Sequence, residues 1–251
     1  MNVISPRKVA SSLGVIILSL GIANLLVNAA KCFLGRGGLW GITRLFDLDS
    51  ENNIPTWYSS ITLLICAGLL GLIAYQKQQH GDRFVTHWRV LALIFLWISL
   101  DEASSVHEIL IQLNGPLRTS GFLVYAWVIP GMMLLALFCV SYWKFWCALP
   151  LKVKRLFLLA FALYVAGGLV MEMIGGQYAQ MFAVEVPIAN NSGWAGMGMA
   201  LLLACEELLE MAGVAAFIYA LLVYLSRSTN TFQLSFNQSQ IQLNATDHYL
   251  S

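Results

Sequence analysis

Charged side chains are scarce in this sequence. Only 11% of its 251 residues are Asp, Glu, Lys or Arg, whereas a soluble globular protein carries about 25%. Hydrophobic residues make up 59% of the chain and its mean hydropathy is +0.71. Because so few polar side chains cannot cover a water-exposed fold, the sequence predicts an integral membrane protein.

The sequence also lacks a charge excess and a cysteine pattern. Its 14 basic and 13 acidic residues give a net charge of +1, so the chain has no excess of positive charge that would attract a nucleic acid. The five cysteines are odd in number and form no CxxC pair, which indicates neither a disulfide framework nor a zinc knuckle. The signatures of P-loops, zinc proteases and GxSxG hydrolases are missing as well.

Six apolar runs are long enough to cross a bilayer, which requires about 20 helical residues. They cover residues 9–30, 55–76, 88–113, 122–143, 156–176 and 197–225. We therefore predict an all-α polytopic membrane bundle of six transmembrane helices in residues 1–226, and a polar, disordered tail in residues 227–251. A cleaved signal peptide is the alternative for the first run, although that run exceeds the 7–15 apolar residues of a signal sequence.

Lysine and arginine are concentrated in alternate connecting segments. The segment between the fourth and fifth runs alone contains Lys144, Lys152, Lys154 and Arg155. Because cytoplasmic loops retain positive charge, both termini are predicted to be cytoplasmic. The expected location is the inner (plasma) membrane of the cell, with the lipid bilayer as the surrounding partner.

Acidic residues inside the apolar runs are the main functional signal. An ionised acid near the centre of a membrane helix costs about 3 kcal/mol, and no Lys or Arg lies at a similar depth. These side chains must therefore share protons, bind cations or face a water-filled cavity. The helical rise places them in one layer of the outer half of the membrane. They are Asp101, Glu102, Glu108, Glu172, Glu206, Glu207 and Glu210.

Helical periodicity groups these acids on common faces. In a continuous third helix, Asp101 would share one polar stripe with Ser104, Ser105 and Glu108, and His107 would border it. In the last run, Glu206 and Glu210 form an i, i+4 pair of like charges, which is unfavourable unless a proton or metal neutralises it. Small residues in the fifth and sixth runs allow a close approach that brings Glu172 towards this pair.

Carboxylates with one imidazole suit a divalent metal such as iron, manganese, zinc or magnesium. We expect the metal ligands to be Asp101, His107, Glu108, Glu172, Glu206 and Glu210. The acid/base groups would be His107, Glu108, Asp101 and Glu210, supported by Glu102, Ser104, Ser105 and Glu207. The Glu-x-x-His pattern of four-helix di-iron proteins does not occur in the sequence, so a ferritin-like centre is not indicated.

These features favour a metal-dependent membrane enzyme, a hydrolase, oxidase or isomerase, acting on a lipid-like or small substrate. One alternative is a transporter or channel that carries protons or cations on the same carboxylates. Another is an assembly protein whose protonated acids hold helices together. A serine nucleophile beside His107 and a calcium site at Asp47, Asp49 and Glu51 are further alternatives.

Three segments resemble an uncharacterised group of bacterial and cyanobacterial multi-pass membrane proteins. The resemblance lies in WISLDEASSVHE at residues 97–108, in NIPTWYSS at residues 53–60, and in the Glu-Glu-x-x-Glu-Met segment that begins at Glu206. It covers about a third of the chain. The resemblance implies a membrane location and no particular activity.

Overall fold

A computed structural model describes residues 5–34, 41–106, 120–125, 127–184 and 193–248. These residues form helices and no strands, which confirms the all-α prediction for this part of the chain. The helices are α1 (Pro6–Leu34), α2 (Ile42–Phe46), α3 (Ile54–Gln79), α4 (Val85–Ser104), α5 (Val128–Ala148), α6 (Leu151–Val165), α7 (Glu172–Phe182) and α8 (Gly193–His248). A short 3-10 turn covers Gly121–Leu123, and a π-helical segment, Ala166–Met171, joins α6 to α7.

Five helical stretches are long and apolar enough to cross a membrane. They are Pro6–Phe33 in α1, all of α3 and α5, the continuous stretch Leu151–Phe182, and Gly193–Arg227 in α8. Their outward faces carry large apolar side chains, such as Leu18, Leu64 and Leu134, which are more than half exposed. The chain is therefore a membrane protein.

The third predicted run differs from the other five. Its described part is α4, which has 20 residues and contains Arg89, Asp101 and Glu102, and α4 is not among the five membrane-length apolar helices. The remainder of that run, beyond Val106, lies outside the described residues. A sixth crossing and the cytoplasmic position of both termini consequently stay predictions.

Helix α8 lies at the centre of the bundle. It packs against α1, α3, α6, the π segment and α7, and its side chains Met211, Ile218 and Leu221 are at most 2% exposed. Beside it, α3 and α4 form an antiparallel hairpin. In that hairpin the Ser60 hydroxyl donates to the Ser99 carbonyl (2.9 Å) and the Ser99 hydroxyl donates to the Ser60 carbonyl (2.8 Å).

Helix α5 packs on this core through aromatic side chains instead of a close backbone approach. Phe145 stacks on His87 with the ring centroids 5.7 Å apart and meets Trp88 edge-on at 4.8 Å. Large rings hold two backbones apart, whereas small residues let them approach. The spacing leaves an apolar cavity on one side of α5.

Helix α4 ends earlier than the sequence predicts. Ser105 adopts a left-handed backbone conformation with φ 53°, so α4 stops at Ser104 and does not continue as one helix to residue 113. The Ser104 hydroxyl bonds to the Leu100 carbonyl, and the Ser105 N–H donates to the Asp101 carbonyl at 2.7 Å. Because a left-handed residue interrupts a right-handed helix, the continuous helix predicted through Ser105 is wrong; Glu108, the far end of the predicted stripe, lies outside the described residues.

The last helix is longer than expected. The backbone from Gly193 to His248 is one helix, which differs from the disordered tail predicted for residues 227–251. Extending an existing helix adds one hydrogen bond per residue and avoids the cost of nucleation, so a polar sequence can follow an apolar span in the same conformation. The domain boundary at residue 226 stays a prediction.

Candidate functional site

Two glycines let the π segment and α6 approach the backbone of α8. A methyl group on Gly167 would lie 2.7 Å from the Glu206 carbonyl oxygen and 2.7 Å from Cγ of Glu210. Further along the same contact, a methyl group on Gly213 would lie 2.8 Å from the Tyr164 nitrogen. Real Cβ atoms do not approach other atoms so closely, so only glycine allows this helix packing, as the small residues of the two runs predict.

The close approach brings two acids of different helices into contact. The carboxyl groups of Glu172, at the start of α7, and Glu206, in α8, lie close enough to interact with each other. Two ionised carboxylates repel each other at short range, so a close pair of carboxyl groups is stabilised by a proton between them. The indole Nε1–H of Trp127 donates a hydrogen bond to Glu172 Oε1 at 3.0 Å.

Further acids surround this pair and form what we call the acidic cluster: Glu102, Glu172, Glu206, Glu207 and Glu210. Glu207 interacts electrostatically with Glu210 and Glu102, and Glu210 interacts with Glu102 and Glu172. The Glu210 carboxylate lies over Gly168, where an added methyl group would be 2.5 Å from its Oε1 atom. The cluster therefore includes acids from α4, α7 and α8.

The π segment is positioned at the cluster. Its Gly167 and Gly168 contact Glu206 and Glu210, and it ends at Met171, directly before Glu172. A π-helical turn changes the direction in which the following side chains point, and such turns occur frequently at functional sites. This irregularity inside an otherwise continuous membrane helix is a local reason why Glu172 faces α8.

The segment after α2 connects the cluster to one end of the bundle, which we call the loop end. Asp49 and Glu51, in this segment, both interact electrostatically with Glu207. The Ser105 hydroxyl, at the end of α4, donates to Glu51 Oε2 at 3.0 Å. Acidic side chains therefore extend from the surface segment to the middle of α8.

Tyr125, which lies outside the membrane-spanning helices, packs over Gly176 beside the cluster. Burial raises the pKa of the Tyr125 phenol to about 12, and the negative charges of Glu172, Glu206 and Asp49 contribute to the increase. A phenol with such a pKa stays neutral at physiological pH and is available as a hydrogen-bonding group.

A buried polar network holds the segment after α2 against α1. Asp47 is 3% exposed and pairs with Lys31, and one of its oxygens accepts from Asn28 Nδ2 at 3.1 Å. Asn53 caps α3 by accepting from the Thr56 N–H at 3.0 Å. Since a lysine neutralises Asp47, the geometry does not resemble the calcium loop considered from the sequence.

An apolar cavity of about 450 Å³ lies next to the cluster, between α4, α5, α6 and α8. Its walls include Phe95, Phe138, Trp146 and Phe217, and its cluster end is formed by Tyr164 and Gly213. Tyr164 interacts electrostatically with Glu210, Glu102, Glu207 and Asp101. The cavity and the acidic cluster are consequently neighbours.

The structure brings together several of the residues predicted from the sequence. Glu172, Glu206, Glu207, Glu210 and Glu102 form the cluster, and Asp101 is near it through Tyr164. His107 and Glu108 lie outside the described residues, so their predicted roles as ligands and as acid/base groups stay predictions. Ser104 bonds to a backbone carbonyl and Ser105 bonds to Glu51, an arrangement that differs from the predicted common stripe.

A metal site is not formed by the described part of the chain. No group of three or more His, Cys, Asp or Glu side chains among these residues is arranged to hold a metal ion. The predicted ligands Asp101, Glu172, Glu206 and Glu210 thus do not form such a group without His107 and Glu108.

Sequence reasoning missed Trp127, Tyr125 and Tyr164 as neighbours of the acids. Trp127 and Tyr125 lie near the end of a predicted apolar run, where Trp and Tyr ordinarily mark the membrane surface, and Tyr164 lies inside a run with no sequence signal that places it beside the acids. Their contacts with the acids depend on how the helices pack. The sequence indicates that Asp49 and Glu51 lie near each other, because they are close in the chain. It does not indicate that they approach Glu207.

The chain was compared with known proteins at the level of families, curated sequences and solved structures. No curated protein and no solved structure matches it. The model of one family, described as a domain of unknown function (DUF8692), matches residues 14–225. This match includes every acid of the cluster and nearly the whole helical bundle, so the chain belongs to the DUF8692 family.

Proposed function

We propose that this protein is a membrane enzyme that performs general acid/base chemistry at Glu172, Glu206 and Glu210 on a lipid-like substrate. The observation that carries the proposal is the proximity of the Glu172 and Glu206 carboxyl groups, one of which is fixed by the Trp127 indole N–H at 3.0 Å. A pair of carboxyl groups that shares one proton has a donor and an acceptor in the same place. Such a pair can donate a proton to one atom of a substrate and accept a proton from another.

The surroundings of the pair suit this role. The indole N–H of Trp127 fixes one oxygen of Glu172, and the glycines of the π segment leave space for the Glu210 carboxylate. The neighbouring cavity is apolar, so a substrate from the bilayer would meet the acids in a water-poor environment, where electrostatic interactions are stronger. The proposed acid/base groups are thus placed on rigid helices beside a substrate-sized space.

The divalent metal expected from the sequence enters no step of this proposal. The described residues do not form a metal-holding group, and the acid/base chemistry requires only the protons that the carboxyl pair binds. Metal binding that involves His107 and Glu108 stays a separate prediction.

Proton or cation transport is the second candidate function. In its favour, Asp49, Glu51 and Glu207 form a series of acids from the loop end towards the centre of the bundle. On the other side of the cluster, however, the described core is aromatic: Phe95 stacks on Phe217 with the centroids 4.9 Å apart, and Trp88 is 1% exposed. A proton or cation carrier needs a second polar path that leaves the cluster on this side, and the aromatic side chains do not provide one. We therefore favour the enzyme.

The proposal is tested by comparing lipid mixtures before and after incubation with the protein in liposomes, using mass spectrometry. The informative variant is Glu206→Gln, since its amide still donates a hydrogen bond to Glu172 and so preserves the contact. Asp82→Asn is the matched control, because Asp82 is an acid at the opposite end of the bundle, where it pairs with Lys77.

We expect a lipid product with the wild type and with Asp82→Asn, and none with Glu206→Gln. If the wild type changes no lipid but conducts protons in a manner that Glu206→Gln abolishes, transport replaces the proposed enzyme. If Glu206→Gln alters neither activity nor flux, the carboxyl pair only holds helices together, as the third alternative from the sequence states.

A further inference from the structure

The turn between α5 and α6 is strongly basic. Residues 128–171 contain four basic side chains and no acidic one. This turn lies at the end of the bundle opposite the loop end, because Phe145, near the end of α5, stacks on His87 in the first turn of α4. All four basic side chains lie on the two sides of the turn. They are Lys144, Lys152, Lys154 and Arg155.

Lys154 lies at the end of the apolar cavity. It precedes Phe157 and Leu158, which line the cavity, by one turn of α6, and residues three and four apart share a helix face. Its Nζ donates to the Cys147 carbonyl of α5 at 3.1 Å, and Cys147 directly follows Trp146, which also lines the cavity. The ammonium group thus bridges the two helices at the point where the cavity ends, and this bond uses one of its three donors.

The cavity is open to hydrocarbon along its side. Its volume of about 450 Å³ lies within the roughly 300–1,000 Å³ of small-molecule pockets. Trp143 and Leu158 line it and are 65% and 54% exposed, and both lie in membrane-length helices. A hydrocarbon chain can therefore enter the cavity from the bilayer without crossing water.

The length of the site matches one leaflet of a bilayer. Between Lys154 and Tyr164, which lines the cavity at its far end, α6 rises about 15 Å. This rise is half of the ~30 Å hydrocarbon core of a membrane. A lipid in the leaflet on the side of the turn has its head group at the level of Lys154 and the end of its chain at the level of Tyr164. Its ordinary orientation therefore fits the site.

We propose that the cavity binds one hydrocarbon chain of an anionic phospholipid from the leaflet at the α5–α6 turn, with the lipid phosphate at Lys154. The occupant follows from charge complementarity, since basic pockets between membrane helices bind anionic head groups and a lysine ammonium group bonds strongly to phosphate. Asp82, an acid at the same end of the bundle, is already paired with Lys77. No acid of the cluster takes part, so the inference goes beyond the proposed function and does not depend on it.

Binding can be followed through the protein's own tryptophans in nanodiscs of neutral phosphatidylcholine. Trp143 and Trp146 line the cavity, so a phosphatidylglycerol with bromine atoms in the middle of its chain should quench their fluorescence. The comparison probe is a phosphatidylcholine with the same brominated chain. We expect the anionic probe to bind about 5-fold tighter than the neutral probe, which corresponds to the ~1 kcal/mol that one basic residue contributes near an anionic surface.

Two lysine variants test the position of the head group. Lys154→Gln removes the charge at the end of the cavity. Lys152→Gln removes an equal charge from the same turn, but Lys152 lies about 200° around α6 from Lys154 and does not line the cavity end. We expect the affinity ratio of the two probes to fall to about 1 in Lys154→Gln and to stay near 5 in Lys152→Gln.

Two variants of α5 test the position of the chain. Cys139→Phe places a ring in the cavity, whereas Val140→Phe adds the same ring at the next position, which is 76% exposed and does not line the cavity. We expect the saturable quenching to be lost in Cys139→Phe and retained in Val140→Phe. Should Cys139→Phe fail to fold, Cys139→Leu and Val140→Leu provide the same comparison with a smaller change.

Several results would overturn the anionic-lipid site. Equal affinity for the two probes would show a chain site without head-group recognition, and equal losses in the two lysine variants would show only a general attraction to a basic surface. Equal effects of the two phenylalanine variants would place the chain outside the cavity. Glu206→Gln should bind the anionic probe as the wild type does. If the anionic probe binds as expected while the wild type yields no lipid product, this site stands and the proposed acid/base reaction fails.

Discussion

Replacement of Gly167 by alanine tests the helix contact on which the site depends. The new methyl group would lie 2.7 Å from the Glu206 carbonyl oxygen, a backbone atom that cannot rotate away. Overpacking of this kind costs about 1–3 kcal/mol. A change from Gly to Ala also stabilises a helix by about 0.5–1 kcal/mol. The control must therefore be a second Gly-to-Ala variant in a helix, at a position where the added methyl group contacts no other atom.

Gly71→Ala in α3 is that control, since nothing lies within 4 Å of its added methyl group. The difference between the unfolding free energies of the two variants isolates the effect of the contact and should be about 1–3 kcal/mol. At about 2–4 °C per kcal/mol for a chain of this size, Gly167→Ala should melt about 2–12 °C below Gly71→Ala. Tryptophan fluorescence in nanodiscs measures both transitions. Equal melting temperatures would show that the close approach of the π segment to α8 does not exist.

Four further predictions concern other parts of the molecule. Lys31→Met should destabilise the protein by about 3–5 kcal/mol in chemical unfolding, because Asp47 would remain buried without its cation, and adding Asp47→Asn should recover part of the loss. Interactions with the Phe84 N–H and Lys77 outweigh burial and lower the pKa of Asp82. The resulting stabilisation of the fold is at most about 1 kcal/mol. It is present above the ordinary pKa of about 3.9 and is lost as the pH falls through the pKa of the folded state. In Asp82→Asn, the melting temperature should therefore depend less on pH in the acid range. Burial raises the pKa of Tyr125 to about 12. The stability that its neutral phenol contributes is therefore present below pH ~10 and is lost between pH ~10 and ~12. The difference between the ultraviolet titrations of the wild type and Tyr125→Phe should show no ionisation at pH ~10. Metal analysis should find a divalent ion in the wild type and not in His107→Ala; its absence from both would refute the predicted metal.

The acids and the small residues allowed much of the cluster to be predicted. Acidic side chains in apolar runs, with no basic side chain at a similar depth, have few positions of low free energy inside a membrane. Gly167 and Gly213 mark the helix faces on which two helices meet. These local signals are enough to bring Glu172 next to Glu206. The contact does not depend on knowing the remaining helices.

Other parts of the site depend on packing that a single sequence does not specify. Helix α4 ends where Ser105 adopts a left-handed backbone conformation, although the periodic apolar pattern favours continuation. The cavity exists because aromatic side chains hold α5 away from its neighbours. The contact of Glu51 with Ser105 joins residues 54 positions apart. None of these follows from periodicity or composition.

The proposed acid/base function requires that Glu172 and Glu206 share a proton inside the membrane. Infrared difference spectroscopy at neutral pH, in H₂O and in D₂O, detects protonated carboxyl groups directly through the C=O band and its isotope shift. We expect such a band in the wild type and in Asp82→Asn, and a loss of intensity in both Glu172→Gln and Glu206→Gln. A wild-type spectrum with no protonated carboxyl band at neutral pH would contradict the account.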